Sequence, residues 1–308
     1  MLVSTPSAVF FLDERGGPGA PQVRFEGDVG RVAEEKGACV IALTSGEIVL
    51  LSDDREQRIE TEIDESIESV IILEDDPLHL LIGTEGPHIY RYRAGLMERN
   101  AAFDLLECRD EWYTPYGSPP ELRSFAATRD GWVYADVHVG SIMRSSDLGV
   151  SWEPVTPDLH EDVHQVATSS RLLDRVYANT ADAIYVSEDR GDSWDHRAEG
   201  LPFHYGRAIA VHPDEPDCLL ATVSRGPGRG AEGRMFRSDD AGRSWIHVIE
   251  GFPSSTNGNI DTFQVVFTKE GKGWAVVDKQ LFHSDDSGRN WRTFWEAPEA
   301  IGMIACRS

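Results

Sequence analysis

The sequence contains little lysine, few cysteines and no long apolar segment, and each scarcity excludes a class of protein. Only four of its 308 residues are lysines, and its 29 basic residues are outnumbered by 53 acidic ones, which gives a formal net charge of −24. Such a field repels nucleic-acid phosphates and anionic membranes. We therefore expect neither as a partner. The acidity instead favours solubility and cationic or metal-linked ligands.

The cysteines and the N-terminus indicate the compartment. Cys39, Cys108, Cys218 and Cys306 form no C-x-x-C pair, a pattern that favours free thiols in a reducing environment. The first residues lack a basic region and a long apolar core, so we predict no secretory signal. No segment approaches the length of a transmembrane helix. We expect a cytoplasmic protein.

What the sequence has instead is a short pattern, Ser-x-Asp-x-Gly-x-Ser-Trp, that occurs four times. Asn290 replaces the second serine in the last copy, and the copies lie within residues 144–152, 186–194, 237–245 and 283–291. The four tryptophans are spaced by 42, 51 and 46 residues. A period in this range is typical of one supersecondary unit per repeat in a propeller or solenoid.

Around each copy, four short apolar runs alternate with Gly, Asp and Pro, and no helical period separates them. This sequence pattern predicts an all-β chain with one four-stranded antiparallel blade per repeat. Six blades can be placed at residues 31–64, 65–104, 121–157, 162–201, 206–252 and 260–296.

The chain ends supply a seventh blade. One C-terminal strand within 299–308 and three N-terminal strands within 1–28 add up to four strands, so both termini would close the ring and remove free sheet edges. We therefore predict a single domain over residues 1–308, a seven-bladed β-propeller. Six blades with irregular ends is the alternative.

The repeated pattern is interpreted as a staple for the turn between the third and fourth strands. Its glycine can take positive φ without Cβ strain, and its aspartate can accept hydrogen bonds from turn amides. Its tryptophan buries a large ring between neighbouring sheets. We assign these aspartates and tryptophans a structural role: Asp147, Trp152, Asp189, Trp194, Asp240, Trp245, Asp286 and Trp291.

These residues resemble the Asp-box (BNR) repeat of sialidases, sortilin-type receptors and photosystem II assembly-factor-like propellers. The resemblance implies boxes on the blade periphery, away from the ligand face. For a sialidase it would also imply an arginine triad, a Tyr–Glu nucleophile pair and an acidic Asp. The F/Y-R-I-P motif that accompanies them is absent, and "LRSF" at 122–125 does not replace it. We therefore expect no sialidase activity.

Ligands of propellers are expected where two kinds of loop converge on the axis. These are the 4–1 loops, which join strand four to the next strand one, and the 2–3 loops. They supply our candidate ligand-binding residues, which are Glu85, Asp136, Tyr205, Arg207 and Asp261. A long insert at 105–120 could overhang the same face.

The sequence Asp-Val-His occurs twice on these loops, at 136–138 and 162–164. Side chains alternate along a strand, so the Asp and His of each copy should face the same side. His138 and His164, joined by His204, would suit a divalent metal such as zinc, iron or manganese.

In that reading, Asp162 or Glu161 would serve as base or orienting group. The alternative is that these histidines only satisfy hydrogen bonds at blade junctions. Four other histidines are expected on outer strands or turns, in contact with solvent: His79, His196, His247 and His283.

Three functions compete. The first is a non-hydrolytic binding or assembly propeller that holds a protein or small ligand on its loop face. The second is a metal-dependent lyase or hydrolase built on the histidines. The third, a glycosidase or glycan-binding protein, rests on resemblance alone. We favour the first, because no catalytic constellation is complete and the loops carry aromatics typical of binding hot spots: Trp112, Tyr113, Tyr116, Phe203 and Tyr205.

Overall fold

The computed structural model describes residues 1–13, 21–35, 37–52 and 55–306, and these fold into seven four-stranded antiparallel sheets. Each sheet is one blade of a β-propeller. Blade 1 contains β1 (Leu2–Thr5), β2 (Ala8–Phe11), β3 (Gln22–Glu26) and β28 (Met303–Ala305).

Blades 2 to 7 each use four consecutive strands. Those of blades 2 to 4 are β4 (Val29–Glu35), β5 (Ala38–Leu43), β6 (Ile48–Ser52), β7 (Arg55–Ile59), β8 (Ile67–Asp75), β9 (Leu78–Thr84), β10 (Ile89–Arg93), β11 (Leu96–Arg99), β12 (Glu121–Ala127), β13 (Val133–His138), β14 (Ser141–Ser145) and β15 (Glu153–Pro154). Those of blades 5 to 7 are β16 (Val163–Thr168), β17 (Val176–Thr180), β18 (Ala183–Ser187), β19 (Asp195–Arg197), β20 (Tyr205–Val211), β21 (Leu219–Ser224), β22 (Arg234–Ser238), β23 (Ile246–His247), β24 (Val265–Phe267), β25 (Gly273–Val277), β26 (Gln280–Ser284) and β27 (Arg292–Glu296).

Both chain ends close the ring, as the sequence predicts. In blade 1 the strand order is β28-β1-β2-β3, and Val3 of β1 pairs with Ile304 of β28 on one side and Phe10 of β2 on the other. The count of seven is confirmed, and the alternative of six blades is wrong. Pairing the termini leaves neither of them as an exposed edge.

The innermost strands form a closed ring around a central channel. Each of β4, β8, β12, β16, β20 and β24 contacts the innermost strand of the next blade, and β28 contacts β4 to complete the circle. The channel that they enclose has a volume of about 520 Å³. Any ligand on the axis therefore meets side chains from all blades.

The hydrophobic core lies between neighbouring blades. Trp274, Val276 and Leu281 of blade 7 pack against Val3 and Phe10 of blade 1 in one such layer. A middle strand is covered by a blade on each face, so β13 is buried along its whole length. For this reason the middle strands have short apolar segments instead of a strict alternation of apolar and polar residues.

The insert between blades 3 and 4 carries the two short helices of the described chain. One is α1 (Ala101–Asp104), capped by the Asn100 side chain, and the other is a 3₁₀ helix at Glu107–Glu111. After them, Tyr113 and Val139 exchange backbone hydrogen bonds of 3.2 and 2.9 Å. The insert therefore packs beside the loop that follows β13.

The cysteines and helices of the described residues agree with two expectations. Cys39, Cys108 and Cys218 are free thiols, and burial raises the pKa of Cys39 to about 12. Across the part of the chain that the structure describes, no helix has both the length and the apolar character needed to cross a bilayer.

The four Asp boxes lie in the turns between the third and fourth strands of blades 4 to 7. In the box of blade 6, Asp240 Oδ1 accepts from the Ser244 amide at 2.8 Å and from the Ser238 hydroxyl at 2.7 Å, and Oδ2 accepts from the Ser244 hydroxyl at 2.6 Å. The same contacts surround Asp147, Asp189 and Asp286. Desolvation opposes ionisation, but these hydrogen bonds outweigh it and lower the pKa of Asp240.

The tryptophan of a box can also tie its blade to the preceding one. The indole of Trp245 donates from Nε1 to the carbonyl of Arg197 in blade 5 at 3.1 Å. Consecutive strands of a blade are antiparallel, so the boxes lie at the end opposite the 2–3 loops. The Asp-box turns and the candidate functional site therefore lie on opposite faces of the propeller.

Candidate functional site

The 4–1 and 2–3 loops meet at one mouth of the central channel. A recess of about 240 Å³ opens there, which we call the mouth recess. It is lined by Gly30, Arg31, Glu121, Arg123, Arg207, Asp261, Thr262, Phe263, Gly302 and Met303. Its three arginines come from three different blades, and two of them, Arg31 and Arg123, were not predicted as site residues from the sequence.

Each of the three arginines occupies the third position of an innermost strand. Arg31, Arg123 and Arg207 follow the starts of β4, β12 and β20 by two residues. The strand register shifts at this point in all three blades, which marks a β-bulge. Bulges re-aim side chains, and here they direct the guanidinium groups to the mouth. An arginine recurring at one strand position was the available sequence signal.

Every arginine of the recess has one carboxylate neighbour. Arg31 Nη2 lies 2.5 Å from Glu68, and Arg123 Nη2 lies 3.1 Å from Glu121. Arg207 Nε lies 3.4 Å from Asp261 Oδ1, and its guanidinium covers the Tyr205 ring at 5.1 Å. The predicted residues Tyr205, Arg207 and Asp261 are thus brought together at the recess.

These pairings leave donors unused. Within the described residues, the buried Arg123 Nη1 and Arg207 Nε have no hydrogen-bond partner. A guanidinium carries five N–H donors in a planar fork, and one carboxylate does not satisfy them all. The recess can therefore offer further hydrogen bonds to an acceptor.

Beside the recess lies a group of three side chains that we call the His–Asp–His cluster: His138, Asp162 and His164. His138 ends β13, Asp162 immediately precedes β16, and His164 is the second residue of β16. Asp162 Oδ1 lies 3.1 Å from His138 Nε2 and 3.2 Å from His164 Nε2. The two imidazole rings are 5.4 Å apart, and Tyr205 lies against the His164 ring at 4.9 Å.

The charges of this cluster follow from burial and proximity. Burial alone would raise the pKa of Asp162, but the two adjacent imidazoles outweigh it and lower the pKa. Burial lowers the pKa of His164 to about 4, although Asp162 pulls it upward. At neutral pH the carboxylate is therefore ionised and the His164 imidazole is neutral.

His204 does not join this cluster. Its Nδ1 lies 2.9 Å from Asp182 Oδ1, and these two residues form a separate, more exposed group with His196. The expected set of three histidines is therefore not assembled. The His204 side chain contacts Asp182 in the turn between β17 and β18, whereas Tyr205, one position later, lies against His164 of β16.

Three other predicted residues have different surroundings. Asp136 is fully buried inside blade 4, where it accepts a hydrogen bond from the Ser124 amide that the bulge of β12 frees from the strand ladder. Burial raises the pKa of Asp136 to about 7. The Glu161 carboxylate accepts from the Tyr113 hydroxyl of the insert at 2.8 Å. Glu85 lies one blade away, where its backbone pairs with that of Glu121.

Two histidines expected in contact with solvent are buried instead. His79 and His283 are 1% and 0% exposed, so that expectation is wrong for both. The His283 ring packs on Trp274 with a centroid distance of 4.2 Å. Both histidines lie on middle strands, β9 and β26, rather than on outer strands or turns, and middle strands are buried in this fold.

Comparison with known proteins shows which family part of the chain is similar to. Residues 140–254 match the family model described as Sortilin-Vps10, sortilin, neurotensin receptor 3, which covers less than half of the chain. A search of curated proteins found no significant match. Many solved structures are similar in fold.

Three of these structures span different functions. An ancestral GH74 enzyme is 20% identical over 55% of this chain, with a TM-score of 0.47, and the chain spans 23% of that enzyme. YCF48 bound to a D1 peptide is 16% identical over 76% of this chain and 67% of its own, with a TM-score of 0.52. The extracellular domain of a protein described as a hybrid two component system of B. thetaiotaomicron is 11% identical over 89% of this chain and 35% of its own, with a TM-score of 0.60.

At these identities the solved structures establish the fold alone. The match to the sortilin model falls on the blades that carry three of the four boxes. The chain is therefore a seven-bladed β-propeller closed by both termini, and three of its four Asp-box motifs lie in the segment that is similar to the sortilin model, residues 140–254.

Proposed function

We propose that this protein is a binding or assembly propeller that holds an anionic group of a protein segment or small ligand in the mouth recess. The observation that carries the proposal is the convergence of Arg31, Arg123 and Arg207 on that recess. A guanidinium binds a carboxylate through two parallel N–H···O bonds, which adds orientation to affinity.

The surrounding charge makes this recess distinctive. The chain carries a net charge of −24, so most of its surface repels anions. At the mouth, the three guanidinium groups have three carboxylate neighbours, of which Glu121 and Asp261 line the recess and Glu68 does not. An incoming carboxylate could take up the unused Nη1 donor of Arg123 while the Arg123–Glu121 pair remains in place, and it could replace the long contact between Arg207 Nε and Asp261.

The neighbouring insert supports a peptide as the ligand. Tyr113 and Tyr116 are exposed by 49% and 72%, and the Tyr113 hydroxyl contacts Glu161 beside the His–Asp–His cluster. Exposed tyrosines supply rigid contact area at binding sites. YCF48, which has the same fold, was solved with a peptide bound, so a propeller of this architecture is able to hold one.

The proposal can be tested with a library of peptides that end in a free carboxylate. Peptides selected on the wild-type protein are remade with amidated C-termini, and affinities are measured by titration calorimetry in EDTA. We expect Arg123→Gln, Arg207→Gln and amidation each to weaken binding by about tenfold or more, since a hydrogen bond between charged groups contributes roughly 1.5–3 kcal/mol.

Arg243→Gln is the matched control. Arg243 lies in the Asp box of blade 6, on the opposite face, and the substitution removes the same charge. It should leave the affinity unchanged. Selected peptides that bind the three variants equally, or a library that yields no peptide dependent on the recess arginines, would contradict the proposal.

A further inference from the structure

The His–Asp–His cluster contains buried polar atoms that make no hydrogen bond. His164 Nδ1 lies 2.5 Å from the carbonyl oxygen of Gly206, which only accepts hydrogen bonds, so Nδ1 must carry a proton. The other ring nitrogen, Nε2, lies 3.2 Å from the Asp162 carboxylate oxygen, yet these two atoms form no hydrogen bond with each other.

Burial makes these unsatisfied atoms costly. His164 is 0% exposed, and among the described residues neither its Nε2 nor Asp162 Oδ1 has a hydrogen-bond partner. Buried polar atoms are nearly always satisfied, so these two neighbouring atoms call for a partner that both can contact. A metal ion that both atoms ligate is such a partner.

We infer that His138, Asp162 and His164 bind one divalent transition-metal ion at the rim of the mouth recess. The separations of 3.1 and 3.2 Å between Asp162 Oδ1 and the two Nε2 atoms suit adjacent ligands of one ion, because Zn–N and Zn–O bonds of about 2.0–2.2 Å place such ligands roughly 3.0–3.5 Å apart. The inference does not rest on the proposed anion binding, although Arg123 contacts both sites.

The outer contacts of His164 match those of a metal ligand. Ligating histidines commonly donate their other ring N–H to a backbone carbonyl, which selects the tautomer with a free Nε2. Gly206 supplies that carbonyl. An added Cβ at residue 206 would lie 1.7 Å from Asn179 Oδ1, so glycine is required where this carbonyl is presented.

His138 is the regulated ligand of the three. Arg123 Nη2 lies 3.2 Å from His138 Nδ1, and because a guanidinium only donates, Nδ1 is the acceptor of this contact. Binding of a metal at Nε2 places the ring proton on Nδ1 and breaks the contact with Arg123. Arg123 thus competes with the metal, while its contact with Glu121 gives it an alternative partner.

The donor set selects the class of ion. Two imidazoles and one carboxylate suit zinc, iron(II) or manganese(II), whereas magnesium and calcium prefer oxygen ligands. Three protein ligands leave coordination positions open on such an ion.

A second group of similar composition provides the control. Asp182, His196 and His204 also place two imidazoles near a carboxylate. However, the His204 Nδ1 to Asp182 contact of 2.9 Å is a hydrogen bond, and His196 Nε2 bonds to the Asp182 carbonyl at 2.9 Å. This group is more exposed and contains no pair of buried polar atoms that lack hydrogen bonds, so it should not bind a metal tightly.

The test is titration of the EDTA-treated, dialysed full chain with Zn²⁺ and, separately, with Mg²⁺, followed by calorimetry. We expect one equivalent of Zn²⁺ to bind and Mg²⁺ not to compete. His164→Gln and Asp162→Asn should weaken Zn²⁺ binding by at least about 100-fold, and His204→Gln should leave it unchanged. Arg123→Gln should tighten Zn²⁺ binding, although the same variant should weaken carboxylate peptides.

Titration of the wild type with Co²⁺ gives a second readout that does not depend on the folding of any variant, because nitrogen ligation produces visible absorption bands. Circular dichroism of each variant establishes that it is folded. A folded wild type that binds no Zn²⁺ stoichiometrically, or Zn²⁺ binding that His204→Gln abolishes and His164→Gln leaves intact, would overturn the assignment.

Discussion

Replacing His283 with glutamine should change how the stability of this protein depends on pH. The imidazole is fully buried against Trp274, and burial lowers the pKa of His283 to about 4. The charged groups facing it are Asp285, which raises this pKa, and Arg292 and Lys272, which lower it. The Arg292 guanidinium donates to Nδ1 at 3.0 Å, which also favours the neutral ring.

The sign of the effect follows from linkage. An unfolded histidine titrates near its ordinary pKa of 6.5, so below that pH the unfolded chain binds a proton that the folded protein resists. The stability of the neutral buried ring is therefore present above about pH 6.5 and is lost as the pH falls toward 4. From the two pKa values we expect a loss of roughly 2 kcal/mol at pH 5 and roughly 3 kcal/mol below pH 4.

The assay is urea unfolding of the wild type and His283→Gln between pH 8 and pH 5. Other groups titrate equally in both proteins, so the difference in unfolding free energy isolates residue 283. That difference should shift by roughly 2 kcal/mol toward the variant at pH 5. His283→Phe, which packs differently but also cannot titrate, should show the same pH shift. A difference that stays constant with pH in both variants would refute the reasoning.

Two further predictions concern the Asp-box face. Gly251 has a φ of +73°, and a Cβ there would lie 1.8 Å from the Trp291 carbonyl oxygen, so Gly251→Ala should lower the unfolding free energy by about 2 kcal/mol or more in urea unfolding. Gly258→Ala, where a Cβ would meet nothing within 4 Å, should change it little, and equal effects of the two would contradict the steric argument. Asp240→Ala removes the acceptor of three hydrogen bonds and should cost about 1–3 kcal/mol at pH 7 in the same assay. An unchanged midpoint would show that the staple contributes nothing.

The proximity of His138, Asp162 and His164 could be predicted from the sequence because it depends on short segments next to strand ends. Asp162 and His164 are two positions apart and adjoin a strand start, so their proximity needs only the strand that follows them. His138 meets them because it ends the second strand of the preceding blade, and the repeat spacing places that strand end on the same face. The propeller repeat therefore suffices to predict that these two histidines and Asp162 lie close together.

Where the predictions about side chains at the channel mouth fail, the residue lies at the expected place in the fold but its side chain points in another direction. His204 lies on the expected face, but its side chain turns to Asp182 instead of His164. The arginines at positions 31 and 123 reach the channel mouth because of bulges, which shift the strand register by a residue that alternation alone does not reveal. The burial of His283 likewise depends on the side chains that neighbouring strands of its blade pack against it, such as Trp274 and Phe294.

The amino-acid sequence by itself determined the repeat unit and the Asp-box turns, because these depend on residues within a few positions of one another. It also determined the closure of the ring by both termini, because the regular spacing leaves one strand at the C-terminus and three at the N-terminus to complete a blade. Only the tertiary structure decided which side chains share the channel mouth and which are buried. Those outcomes depend on how neighbouring blades pack and on bulges in their innermost strands, which bring together residues from blades far apart in the chain.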